Sequence, residues 1–366
     1  MKNPKFSGTT EEKSFKEACD EVVVGYFKRK NIPRTGNRKL YIKANLVFAV
    51  YLLSYISILT IIKNPWLALV VVVIFSLAQV SVGMCIMHDA SHGAFSKKAW
   101  VNTLLSKTIW LMGFNDTNWN IQHNGLHHIN TNLKGGAEIL GDEDIEAYGL
   151  LRLSEHGAWK PMHYYQHFYA WPLYMIVTFG RFFGETFRIS SYVKKGLAKR
   201  FNIRPGFEYA KIITIKIVFL FFIIGLPLLV TDFSWKQVAI GYIVMNFVSS
   251  FNFTLIFQLA HIVMQARQAP LVNGVVHNDW FIYEMYSSCD FVTNPLFCEV
   301  IGGLNRQNIH HGWRGISHVH YEDLAEELKP VFIKYNVPYN ENPSFSKAVG
   351  SHYQRLKQLS LYKKAA

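Results

Sequence analysis

The chain has 366 residues, half of them apolar, with a formal net charge of +13 and four cysteines. High apolarity joined to a strong positive balance argues against a soluble enzyme and points to a basic protein embedded in a bilayer. The cysteines, Cys19, Cys85, Cys289 and Cys298, are scattered and form no CxxC pair, which implies no disulfide framework, argues against a thiolate zinc site or an iron–sulfur cluster, and fits a reducing compartment.

Residues 1–40 are expected to form a polar, basic N-terminal segment with no cleavable signal peptide, and Lys2 to Ser14 are expected to be loose. Two apolar runs follow, about 41–62 and 66–87, separated only by Lys63, Asn64 and Pro65. As helices each would be about 33 Å long, close to the roughly 30 Å of bilayer hydrocarbon. They are predicted to form a transmembrane hairpin. Next come two aromatic stretches, 99–114 and 168–187; the second holds Arg181, Glu185 and Arg188, which suits a helix lying in the membrane interface. A second hairpin is predicted over about 212–230 and 238–259, with Pro227 able to kink its first helix. Lysines and arginines concentrate before the first span, between His88 and Ala210 and after His261, whereas the short connecting loops carry one each, Lys63 and Lys236. The positive-inside rule therefore places both termini and the long middle region in the cytoplasm. The predicted fold is an all-α integral membrane protein: four transmembrane helices in two hairpins, with a cytoplasmic helical cap carrying a di-metal site. Residues 41–261 and 262–329 are read as a single catalytic domain and 330–366 as a polar cytoplasmic tail.

Eight histidines carry the chemistry. His88 and His92 stand in HDASH, His123, His127 and His128 in HNGLHH, His310 and His311 in QNIHH, and His261 stands alone at the end of the fourth span. Imidazoles are costly to bury uncharged and unpaired, so this grouping asks for a common partner. His88 and His92, and again His123 and His127, share a helix face at i, i+4 spacing. With α-helical winding His128 would be rotated by about 100° from His127. There is enough imidazole here for two metal ions, and imidazole suits iron, copper, zinc and nickel. Two redox metals beside a membrane suggest oxygen chemistry, and a site at the cytoplasmic ends of the spans can receive a lipid chain from below. A metal transporter would line its spans with histidines; here they cluster at span ends and in polar segments.

These motifs resemble those of the membrane fatty acid desaturase family. HDASHGA after a span, WNIQHNGLHHINTN followed by GDEDI, LAHIV, and GGLNRQNIHH with ISHVHY behind it match that family in order and spacing over roughly His88 to Tyr321. A Gln opening the third box is similar to the front-end acyl desaturases, which insert a double bond between an existing one and the carboxyl end. The resemblance implies a di-iron enzyme of four spans, with His88, His92, His123, His127, His128, His261, His310 and His311 as iron ligands and O2 as cosubstrate. It makes Gln307 a weak ligand or hydrogen-bond partner and Asp89 an orienting partner for a ligand histidine. Asp142 and Asp144 match the family's acidic pair, and His167 is a further candidate to support the ligands. One departure stands out. The family usually reads Gln-Ile-Glu-His-His-Leu-Phe-Pro where this chain has Gln307, Asn308, Ile309, His310, His311, Gly312, Trp313 and Arg314. The usual carboxylate is replaced by Ile309, and Asn308 is the neighbouring group able to hydrogen-bond.

The implied substrate is a fatty acyl chain on coenzyme A, acyl carrier protein or a lipid, and the surroundings are membrane lipid, not nucleic acid. No HPGG haem motif occurs, so electrons are expected from a separate ferredoxin or cytochrome b5, steered by Lys97, Lys98, Lys194, Lys195, Lys199 and Arg200. The implied location is multi-pass, in a bacterial inner membrane or the endoplasmic reticulum. A fatty acyl hydroxylase or related di-iron oxygenase on the same scaffold is the alternative, since both reactions begin with the same hydrogen abstraction.

Overall fold

The computed structural model describes residues 1–361; the last part of the expected tail, 362–366, lies outside the described residues. The chain is mostly helical. It divides into two compact units, one made of 1–36, 122–171 and the chain from Ile256 on, the other of 37–121 and 172–255.

In the first unit, α1 (Thr10–Lys30) opens on a reciprocal cap: Thr9 accepts from the Glu12 amide while the Glu12 carboxylate accepts from the Thr9 amide. Such a cap stabilises a helix by about 1 kcal/mol. Phe15, Cys19, Val23 and Tyr26 of α1 pack in one core with Phe281 and with Leu324, Leu328 and Phe332. The expectation that Lys2 to Ser14 are loose is corrected here. A short parallel ladder pairs Lys5–Phe6 with Val275–Val276, and the Lys2 amide donates to Glu138. A second ladder pairs Asp290–Phe291 with Glu341–Asn342. These four two-residue strands are the departures from an all-α fold among the described residues. The C-terminal helix Phe345–Ser360 is held in the same unit by His352 Nδ1, 2.6 Å from the Ile262 carbonyl, and by Arg152, which donates to the Leu359 carbonyl at 2.8 Å.

Four helices among the described residues are long and apolar enough to cross a membrane: Arg38–Thr60, Pro65–Ser91, Pro205–Val230 and Trp235–His261. Each begins one to seven residues before the apolar run does, because a polar first turn belongs to the helix although hydropathy does not mark it. Asn37 caps the first through the Leu40 amide and Asn64 caps the second, with Pro65 in its first turn. The third contains Glu208 and Lys211, 3.0 Å apart, with Lys211 also 3.1 Å from Asp116. Large apolar side chains such as Leu53, Trp66, Leu229 and Trp235 stay exposed on these helices. Apolar faces of that extent suit contact with lipid, and four such helices fit a membrane protein.

In the second unit the first two of these helices pack together, with Tyr51 stacked on Phe75 at 4.5 Å between ring centroids. Gly83 allows the close packing beside them: a Cβ there would lie 2.7 Å from the Phe253 ring and 2.9 Å from the Met112 methyl. The helix Val177–Lys194 buries Glu185, whose carboxylate accepts from Lys216 at 2.7 Å and from the Asn115 amide at 2.8 Å. That pairing explains how an apolar aromatic stretch carries a carboxylate inward.

Candidate metal centre

The second histidine box lies on Asn120–His127, which winds as a π-helix, followed by a short α-helical turn His128–Asn130. Winding decides which way the rings point. With α-helical winding His128 would stand about 140° around the axis from His123, whereas a turn closed i→i+5 brings it within roughly 50°. His123, His127 and His128 thereby share one side of the segment. A second π-helical stretch, Val82–Met87, runs into the helical turn bearing His88, Asp89 and His92. The His88 and His92 rings are 4.8 Å apart, and His88 and Asp89 are buried.

In the first unit the fold brings six histidines into two trios. The rings of His127, His261 and His311 lie 4.8 to 5.1 Å apart pairwise, and each offers a nitrogen within 4.8 Å of the others. His123, His128 and His310 do the same, with His123 Nε2 and His128 Nε2 only 3.1 Å apart. All six are buried.

Behind the rings stand carboxylates. Asp142 accepts from His127 Nδ1 at 3.0 Å and from the Asn132 amide at 2.9 Å, and Asp144 lies 3.7 Å from the same ring nitrogen while accepting from Gln122. Burial pulls the His127 imidazole down, but the charge and hydrogen bond of Asp142, with Asp144 and Glu284 beyond, more than offset this and raise it to about 9. Glu284 is the residue that the sequence did not reveal. Its Oε2 lies 2.8 Å from His311 Nδ1 and accepts from Thr131 Oγ1 at 2.7 Å. Burial pushes this carboxyl up to about 8 despite the Thr131 bond, and a cation on the far nitrogen of His311 would act against that push. Ile309, standing where a carboxylate is usual in the third box, packs instead in the apolar core with Phe281 and Met285. A Glu there would face that core, and the carboxylate reaches His311 from the neighbouring helix Trp280–Ser287.

The remaining candidates are placed as follows. Gln307 shares the short helix Gln307–Gly312 with His310 and His311; its amide nitrogen donates to the Leu304 carbonyl, and its buried Oε1 has no hydrogen-bond partner among the described residues. Asn308 points elsewhere, donating from its side chain to the Asn340 carbonyl at 3.1 Å. His167 packs between Phe168 and Tyr353, and no metal-holding group among the described residues includes it. His261 turns Nδ1 toward the Ser287 carbonyl at 3.3 Å, leaving a buried Nε2 with no hydrogen-bond partner among the described residues.

A metal ion fits this donor set. Two nitrogens each about 2.1 Å from an ion, at tetrahedral or octahedral angles, lie about 3.0–3.4 Å apart, the separation seen for His123 and His128. The buried Nε2 of His261 is the lone pair such an ion would satisfy, and the carboxylates on the opposite nitrogens are the outer partners that ligating histidines require.

The family model for fatty acid desaturases matches residues 64–343. The chain belongs to the fatty acid desaturase family. It is thus a fatty acyl desaturase, an oxidoreductase of lipid metabolism. Similar proteins include an sn-1 linoleoyl-lipid 6-desaturase from Synechocystis sp., 28% identical with 96% of each chain covered. An acyl-lipid (8-3)-desaturase from Mortierella alpina is 26% identical over 95% of this desaturase and 78% of its own length. A Delta(5) fatty acid desaturase A from Dictyostelium discoideum is 28% identical over 85% and 66%.

Proposed function

We propose that this desaturase inserts a cis double bond between an existing one and the carboxyl end of a lipid-linked acyl chain, using O2 and two iron ions. Support for the regiochemistry comes from relatives named as 6-, (8-3)- and Delta(5)-desaturases. Support for the metal pair comes from the two buried histidine trios, one backed by Asp142 and Glu284 and the other by the Tyr321 hydroxyl, the single observation on which the reading rests.

The proposed ligands are His127, His261 and His311 in one trio and His123, His128 and His310 in the other, with His88 and His92 added on the family pattern. When bound, the two irons supply, with O2, the oxidising power needed to take hydrogen from an unactivated methylene, which no side-chain acid or base can do. The protein's share is orientation. Asp142 and Glu284 hold the Nδ1 protons of His127 and His311, which would leave each Nε2 lone pair free for an ion. The Tyr321 hydroxyl, 3.2 Å from His310 Nδ1, does the same for the other trio. Burial of all six rings keeps bulk water from the reacting centre.

The proposed topology is two transmembrane hairpins, with the termini and a histidine-bearing helical cap on the cytoplasmic side of a bacterial inner membrane or the endoplasmic reticulum. The support is the distribution of lysine and arginine. The proposed electron donor is a separate acidic carrier, ferredoxin or cytochrome b5.

Fatty acid profiling of a host that expresses the chain and is fed linoleate tests the reading, with a His310→Ala, His311→Ala variant as control. A new polyunsaturated product that disappears in the control is expected. A hydroxylated product would move the assignment to the hydroxylase alternative, and a purified protein without iron would overturn the ligand set.

A further inference from the structure

The helix Gln307–Gly312 that carries His310 and His311 is six residues long. A helix this short does not persist through its own hydrogen bonds, and its preceding residue, Arg306, supplies no side-chain cap. Its position is therefore set by what grips its first turn.

The grip comes from elsewhere in the chain. Asp290, buried on the strand Asp290–Phe291, accepts from the Asn308 amide at 2.9 Å through Oδ1, taking the role of a cap residue from 18 positions upstream. A carboxylate there also faces the positive end of the helix. Its other oxygen accepts from the Tyr339 hydroxyl at 2.6 Å and lies 3.7 Å from Arg306. Arg306, itself buried, spreads its guanidinium between Glu322, which accepts from Nε at 2.8 Å, and Glu341. The segment Tyr339–Asn342 closes the arrangement: the Asn340 carbonyl accepts from the Asn308 side chain at 3.1 Å and from the Asp290 amide at 2.9 Å. The Asn340 side chain donates to the carbonyls of Met285 at 3.2 Å and Ser288 at 3.1 Å, at the end of the helix that presents Glu284 to His311. One short segment thus ties the helix of the histidine pair to the helix of its carboxylate partner.

We propose that Asp290, with Tyr339 and Asn340, is a positioning clamp for the third histidine box, holding His310 and His311 in register with Glu284. The clamp rests on the ligand roles proposed for His310 and His311. Asp290 touches neither metal nor substrate; it acts through the first turn of the helix. Asp290→Asn keeps an oxygen able to cap the Asn308 amide, whereas Asp290→Ala removes it.

The test compares full-length wild type, Asp290→Asn, Asp290→Ala and Tyr339→Phe in detergent micelles by two readouts. The first is hydrogen exchange of the 307–312 amides in metal-free protein, with amides of α1 as the reference for global folding. The second is the rate of iron loss to a chelator. Asp290→Ala is expected to speed exchange of 307–312 by about fivefold, the size of a lost cap, with α1 unchanged, and to speed iron loss severalfold. Tyr339→Phe should fall between Asp290→Ala and wild type, and Asp290→Asn should stay within about threefold of wild type. Equal acceleration in 307–312 and α1 would show a purely structural role and overturn the clamp, as would unchanged exchange and iron loss in Asp290→Ala. A wild type that holds no iron would refute the ligand reading, leaving the exchange result to decide the clamp by itself.

Discussion

Replacing Glu284 by Gln tests the carboxylate that the third box lacks in its own sequence. The substitution keeps size and shape but removes the charge that accepts from His311 Nδ1 at 2.8 Å and from Thr131 at 2.7 Å. A hydrogen bond to a charged group contributes about 1.5–3 kcal/mol against about 1 for a neutral pair, so roughly 1–2 kcal/mol is lost. The glutamine also places either an amide N–H₂ against His311 or one at the position of Oε1, a buried atom without a hydrogen-bond partner among the described residues. An unsatisfied buried donor costs about 1–3 kcal/mol more, part of which relaxation recovers. At about 1.4 kcal/mol per tenfold, metal affinity should fall by about 10- to 100-fold, the range found when outer partners of metal-bound histidines are removed. The assay is competition for Fe2+ against a chelator of known affinity, with double-bond formation measured at saturating metal. Affinity within twofold of wild type would refute the view that Glu284 orients His311.

Other consequences can be checked in the same preparations. Asp142→Asn, which takes the carboxylate charge from His127 Nδ1, should weaken metal binding by about 10- to 100-fold in chelator competition and, because it breaks a buried charged pair, also lower the melting temperature of the metal-free protein. His167→Ala removes a ring packed between Phe168 and Tyr353; iron stoichiometry by elemental analysis should stay at the wild-type value while the melting temperature falls. Gly83→Ala would place a methyl 2.7 Å from the Phe253 ring and 2.9 Å from Met112, and overpacking of this kind costs about 1–3 kcal/mol, to be read as a lower melting temperature in detergent. Stripping iron with a chelator should abolish product formation, and adding back Fe2+ should restore it where zinc does not.

Some of this protein was legible without its fold. Three of the four apolar runs fall within membrane-length helices and the first overruns its helix by two residues at Ile61 and Ile62, since hydropathy reports local solvent preference rather than where a helix ends; the starts were missed by up to seven residues because first turns such as Arg38–Lys39 and the paired Glu208 and Lys211 are polar. Asp142 was legible as a partner because it lies 15 residues from His127 in a motif. Glu284 was not, because nothing local in WFIYEMYS distinguishes a carboxylate that faces His311 from one that faces water. Asn308 is nearest in sequence to the missing carboxylate, yet its side chain is spent on Asn340.

By itself the sequence determined the residue types and their local spacing: four apolar runs of membrane length and eight histidines in the pattern of one enzyme family. Tertiary structure alone decided how six of those imidazoles divide into trios and that Glu284 backs His311. It also decided that His128 shares a side with His123, and that residues from 290 and 339–342 hold the third box. The reason is physical. Apolar periodicity is set by neighbours along the chain, whereas the partner of a buried charge is chosen by packing among segments far apart in sequence, and the helical winding follows the contacts that result.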